Sequence, residues 1–137
     1  MILFVFAALL GISVHAQSVL GKWMTIDDKT GAEKSIVEIY SENGKVYGKI
    51  VEIMDKTKKD RQCTECEGSD KDKPILGMVI INGLEKDGDT WEDGTILDPE
   101  SGKVYKCYIT LENKNKLKVR GYIGFSLLGR TQYWSRA

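Results

Sequence analysis

Three cysteines, one histidine, one serine in a glycine-flanked apolar run and several carboxylate clusters are the groups in this chain whose types and spacing could do chemistry. Cys63-Thr64-Glu65-Cys66 lies within a long polar stretch. A thioredoxin-type pair would open a helix in a βαβ unit, and no such pattern surrounds it. A structural zinc site needs four Cys or His ligands, and Cys63, Cys66 and Cys107 supply only three. In an exported chain a Cys63–Cys66 disulfide is the simplest outcome. A bridge from Cys107 to either of them, a metal site and redox catalysis are the competing assignments. Cys107 by itself reads as a small buried core residue.

The single histidine, His15, sits in the N-terminal segment. Residues 2–14, ILFVFAALLGISV, form an apolar run followed by Val14-His15-Ala16. This pattern predicts a signal peptide over residues 1–16, cleaved after Ala16, although no Lys or Arg precedes the run. The run is shorter than the ~20 residues of a comfortable membrane span. The mature chain would then be one domain, residues 17–137, with no membrane span and no histidine. Without histidine, Ser-His-Asp and Cys-His catalysis and imidazole metal ligation are excluded.

The remaining nucleophile and carboxylate patterns are weak. Ser126 lies in GFSLLG, but the nucleophile-elbow pattern requires glycine at 128, where Leu128 stands. Asp55, Asp60, Asp70, Asp72 and the segment DGDTWEDG do not follow the calcium-loop spacing and read as solvated turns. An enzyme would need a carboxylate pair, Glu38 with Glu52 for example, facing one cavity. The expectation is a non-catalytic protein with no cofactor. All 20 basic and 20 acidic residues follow the signal, so the mature chain is neutral. Neutrality argues against a nucleic-acid or anionic-membrane binder.

These residues must be positioned by strands. Period-two alternation and turn residues predict strands at 19–27, 34–41, 45–54, 75–84, 89–97, 103–111, 115–124 and 129–136. Asn43-Gly44 and Asp87-Gly88 mark tight hairpins. A polar loop spans about 55–74. Eight short strands without a helical period predict an all-β fold, an eight-stranded antiparallel up-and-down barrel. Tyr105, Cys107, Ile109 and Leu111 share one face, as do Leu117, Val119, Gly121 and Ile123, and these faces should point inward. Strands two and three carry apolar residues on both faces.

The blocks GKWMTIDDKTG, SIVEIYSENGKVYGKI, CTEC, KPILGMVIINGLEKDGDTWEDGTILDPESGKVYKC and KLKVRGYIGFSLLGRTQYWSR, in this order, resemble the DUF2147 family of exported bacterial proteins. More distantly, Gly21-Lys22-Trp23 resembles the G-x-W signature of the calycin (lipocalin and fatty-acid-binding) barrels. In those barrels a basic residue near the C-terminus packs over the tryptophan. Arg130 or Arg136 could take that part here, and Arg130 is the expected partner of Trp23, with Gly21 beside them.

The resulting expectation is an exported, periplasmic or secreted, calycin-like barrel that binds a small apolar or amphipathic ligand. Its candidate lining is Trp91, Tyr105, Tyr108, Val119 and Phe125, with Arg120 or Tyr122 as the polar handle. The alternative is a filled barrel that serves as a structural or protein-interaction module of the envelope. An exposed Ile36-Glu38-Tyr40 or Val46-Ile50 patch would support that alternative.

Overall fold

The computed structural model describes residues 18–124 and 128–137, so the expected signal segment and Phe125-Ser126-Leu127 lie outside the described residues. Eight strands form one closed antiparallel barrel in sequence order. They are β1 (Gly21–Ile26), β2 (Glu33–Glu42), β3 (Lys45–Ile53), β4 (Val79–Asp87), β5 (Thr90–Leu97), β6 (Val104–Asn113), β7 (Lys116–Tyr122) and β8 (Gly129–Arg136). Closure is made by β1 against the C-terminal end of β8, with Trp23 opposite Arg136 and Met24 opposite Ser135. Closing the sheet removes the open edges that would otherwise pair with other chains.

Up-and-down order sorts the connections to two ends. The β2–β3, β4–β5 and β6–β7 turns, at 43–44, 88–89 and 114–115, lie at the lower end with Ser18–Leu20. The longer connections after β1, β3, β5 and β7 lie at the upper end. Strand alternation puts Trp23, Val37, Ile39, Val46, Leu84, Ile109 and Leu117 inside, each at most 1 % exposed. Val46 and Ile50 are therefore core residues rather than an outer patch. Ile36, Glu38 and Tyr40 take the outer face, half-buried, with Tyr40 stacked 5.7 Å from Tyr47. Glu38 lies opposite Lys49, and Glu52 pairs with Lys56 at 3.5 Å, so these two carboxylates do not share the interior.

At the lower end Arg136, not Arg130, covers Trp23. The guanidinium lies 3.9 Å from the Trp23 ring. It also donates to the carbonyls of Leu20 at 2.8 Å, Ser18 at 3.0 Å and Lys114 at 3.0 Å. Trp23 Nε1 donates to the Val19 carbonyl at 2.8 Å. Gly21 is required beside them, because a Cβ there would sit 3.1 Å from the guanidinium and its φ is +120°. The expected Trp23–Arg130 contact is corrected by register. β1 meets the last residues of β8, and Arg130 begins that strand at the opposite end.

The fourth strand starts at Val79 rather than at residue 75. Ile75 to Met78 finish the long loop, with Ile75 N–H donating to Arg61 O and Gly77 N–H to Ile50 O. Two short 3-10 turns, Lys56–Lys58 and Gly68–Asp70, and the bridge of Gln62 with Pro74 give that loop its shape. A Cys63–Cys66 disulfide, with Cα atoms 5.3 Å apart, closes its tip. Both sulfurs are buried, and the Cys63 sulfur lies 3.2 Å from the Pro99 carbonyl of the β5–β6 loop. Gly102, at φ +72°, permits that approach, since a Cβ there would run into the Glu65 carbonyl. Cys107 is a free, fully buried thiol, and burial pushes it up to about 12.

Candidate functional site

The upper half of the barrel is a cup of about 1040 Å³, open between the four long connections. The cup exists because small inward residues occupy this level. Thr25, Ser35, Val119 and Gly121 line it, where the lower level carries Trp23, Leu84 and Leu117. Ile50, Ile53, Ile80, Ile96, Leu97 and Tyr105 supply most of the rest of the wall, and Trp134, 2 % exposed, lies deepest on β8. A mostly apolar concavity of this size can take a small-molecule ligand.

A short polar chain descends the β8 wall. Arg130 Nε pairs with Asp28 Oδ2 at 3.0 Å. Gln132 Nε2 donates to the same oxygen at 2.9 Å, and Trp134 Nε1 donates to Gln132 Oε1 at 3.0 Å. On the neighbouring wall the Thr25 and Ser35 hydroxyls meet at 2.7 Å.

The rim carries six acidic and six basic residues. Several of the acids are occupied by their own loops. Asp27 accepts from the Lys29 and Thr30 amides, which holds its carboxyl below the usual value. Asp55 does the same with the Thr57 hydroxyl and amide. Asp98 accepts from Glu100 N–H and Ser101 Oγ. Lys34 pairs with Glu100 at 3.1 Å. Lys29, Lys58, Arg61 and Lys103 enter no ion pair among the described residues. A second, smaller hollow of about 220 Å³ lies between the long loop and the β5–β6 loop, against Arg61, Thr64 and Pro99.

Of the lining expected from sequence, Tyr105 and Val119 do face the cavity. Trp91 points inward opposite Ile109, but in the filled lower half, where it packs on the core. Tyr108, Arg120 and Tyr122 are corrected to the outer face. Tyr108 and Tyr122 rings contact each other at 6.2 Å, Lys118 lies 5.7 Å over Tyr108, and Arg120 donates to Thr131 Oγ1 at 2.9 Å. Strand parity is the reason, since Cys107, Ile109 and Val119 take the interior and their neighbours cannot. Phe125 lies outside the described residues. Thr25, Ser35, Gln132 and Trp134 were not singled out from sequence. Parity alone held the signal: Trp23 and Thr25 share a face, and so do Gln132 and Trp134.

A family model described as an uncharacterized protein conserved in bacteria, DUF2147, matches residues 21–136. No curated protein sequence matches the chain. Among solved structures, a protein of the human pathogen Helicobacter pylori, described as belonging to the lipocalin family, superposes with a TM-score of 0.79. The match covers 89 % of this chain and 84 % of that one at 19 % identity, a likeness of fold.

Proposed function

This chain belongs to the DUF2147 family of bacterial proteins, and we propose that it is an exported, non-catalytic carrier of a small apolar or amphipathic molecule in the cell envelope. The observation that carries this reading is the cup of about 1040 Å³ above a filled barrel floor. Its isoleucine, leucine and aromatic wall would release water on taking up an apolar group, at about 25 cal/mol per Å² buried. The Cys63–Cys66 bridge beside the mouth supports an oxidising compartment. A filled-barrel structural module accounts for the lower half and leaves the cup without a use.

Native mass spectrometry of the mature protein, purified from its own envelope, tests the reading. The expected result is an added mass of a few hundred daltons that disappears on denaturation. Narrowing the cup with Ile96→Trp and Val119→Phe should remove that mass while the barrel still folds. A protein that never carries or accepts an apolar molecule, or a stable complex with a foreign chain in its place, would return the assignment to an interaction module.

A further inference from the structure

The wall of the cup is chemically divided. Ile50, Ile80, Ile96 and Val119 come from β3, β4, β5 and β7, whereas β1, β2 and β8 contribute Thr25, Ser35 and Gln132. Thr25 and Ser35 are direct register partners, 6 % and 8 % exposed. Two hydroxyls joined by one hydrogen bond leave one hydrogen over, because the accepting hydroxyl keeps its own. No described protein group accepts that hydrogen. That hydrogen is left for an acceptor in the cup, water when the cup is empty or an oxygen of a ligand when it is filled.

Gln132 offers a second donor whose orientation is fixed by its partners. Trp134 Nε1 can only donate and the Asp28 carboxylate only accept, so Oε1 faces the indole and Nε2 faces Asp28. Nε2 then has one hydrogen left. The β1–β8 register, Trp23 opposite Arg136 and Met24 opposite Ser135, continued by one residue brings Thr25 level with Trp134. Gln132 is the next inward position above it.

The geometry points to a ligand subsite formed by Thr25, Ser35 and Gln132 that takes the oxygen acceptor of an acyl group on an aliphatic chain. The acyl oxygen sits against the two spare donors, at the level of Trp134 and Gln132, and the chain lies along Ile50, Ile80 and Ile96. This inference rests on the carrier reading, and the experiment separates the two.

The mature protein is titrated with N-phenyl-1-naphthylamine, a neutral fluorescent apolar probe, which is then displaced with three amphiphiles of equal chain length. These are dodecanoate, methyl dodecanoate and dodecyltrimethylammonium. The acyl compounds should displace the probe about tenfold better than the ammonium, the scale of one hydrogen bond to a charged or carbonyl oxygen. Dodecanoate ahead of its ester identifies a free carboxylate as the headgroup, and equal affinity identifies a carbonyl. In the variant Thr25→Val with Ser35→Ala both partners of the hydroxyl pair are replaced together, so neither is stranded. It should lose about tenfold for dodecanoate and keep its affinity for the probe. Gln132→Glu retains the acceptor for Trp134, removes the spare donor, and should weaken dodecanoate more than the ester. Equal affinity for acyl and ammonium compounds, or an equal loss of probe and dodecanoate in both variants, overturns the subsite. Failure of the wild-type protein to bind any of the four compounds overturns the carrier reading itself.

Discussion

Below the level of Trp134 the barrel is solid, and above it the barrel is a cup, yet the same eight strands build both halves. In the lower half Trp23, Leu84, Ile109 and Leu117 reach the axis and are fully buried. Two-residue turns join the strands there, and Val19 and Arg136 seal the end. In the upper half Thr25, Ser35, Val119 and Gly121 stop short of the axis, and long connections stand around the opening. Alternation in both halves is equally regular. Side-chain size at inward positions and connection length decide which half is filled. The filled half supplies stability, and the hollow half trades packing for a site.

The comparison breaks if the two halves respond alike to truncation. Trp23→Ala should cost about 3–5 kcal/mol, because a fully enclosed ring leaves a void that cannot collapse. Ile96→Ala, on the cavity wall, should cost roughly 1–2 kcal/mol, since it enlarges a space already open to solvent. Urea denaturation of both variants measures the difference, and equal losses would mean the upper half packs as tightly as the lower. Next in size is Arg136→Ala, at about 2–3 kcal/mol from one cation–π contact and three exposed backbone hydrogen bonds.

Removing the disulfide with Cys63→Ala and Cys66→Ala should cost roughly 2 kcal/mol, as expected for so short a covalent loop. The loss should be local to the upper end. Hydrogen exchange should quicken at the Cys63 and Ile75 amides, which bond Lys73 O and Arg61 O, and not at the barrel floor. Cys107 sharpens the same boundary. Its thiol ordinarily ionises near 9.0 and is raised to about 12 by burial, so the native state holds it neutral while the unfolded state ionises. That contribution to stability is complete below pH 9.0 and is lost as pH rises toward 12. The slope should be about 1.4 kcal/mol per pH unit, and a Cys107→Ala variant should lack it.

How far the sequence could be read follows the range of the interactions involved. The hairpin at Asn43-Gly44 is local and falls where the turn chemistry puts it, and the one expected at Asp87-Gly88 closes one residue later, over Gly88-Asp89, with Asp87 still paired to Thr90. Parity within β6 and β7 is also local, and it placed Val119 and Cys107 inside. Tyr108, Arg120 and Tyr122 have the aromatic and guanidinium character of a ligand wall, but the same parity turns them to the outer face. Ile75 to Met78 look like strand, since they run on into the apolar Val79-Ile80-Ile81, but their amides bond Arg61 O in the long loop and Ile50 O on β3. Thr25 and Ser35 resemble ordinary strand-surface residues, and only closure of β1 on β8 buries them. The choice between Arg130 and Arg136 depends on that same closure, the contact between the most distant strands in sequence.

Those two arginines give the finest test of the comparison. Arg130, Gln132, Trp134 and Arg136 occupy alternate positions of β8, so one strand face carries an arginine at each end of the barrel. Arg136 binds three backbone carbonyls, of Ser18, Leu20 and Lys114, and covers the Trp23 ring. Arg130 pairs with Asp28 on a loop, and its side chain is 65 % exposed. An ion pair so exposed is worth less than about 1 kcal/mol, so Arg130→Ala should leave the unfolding midpoint nearly unchanged. Its effect belongs to the site. Arg130 and Gln132 share Asp28 Oδ2, and Gln132 in turn holds the Trp134 indole. Loss of Arg130 leaves Asp28 tethered by Gln132 alone, and the emission of Trp134, taken as the difference between the protein and its Trp134→Phe counterpart, should broaden or shift without loss of fold. A destabilisation by Arg130→Ala as large as that of Arg136→Ala would show that the upper rim is as structural as the lower, and the division between floor and cup would have to be redrawn.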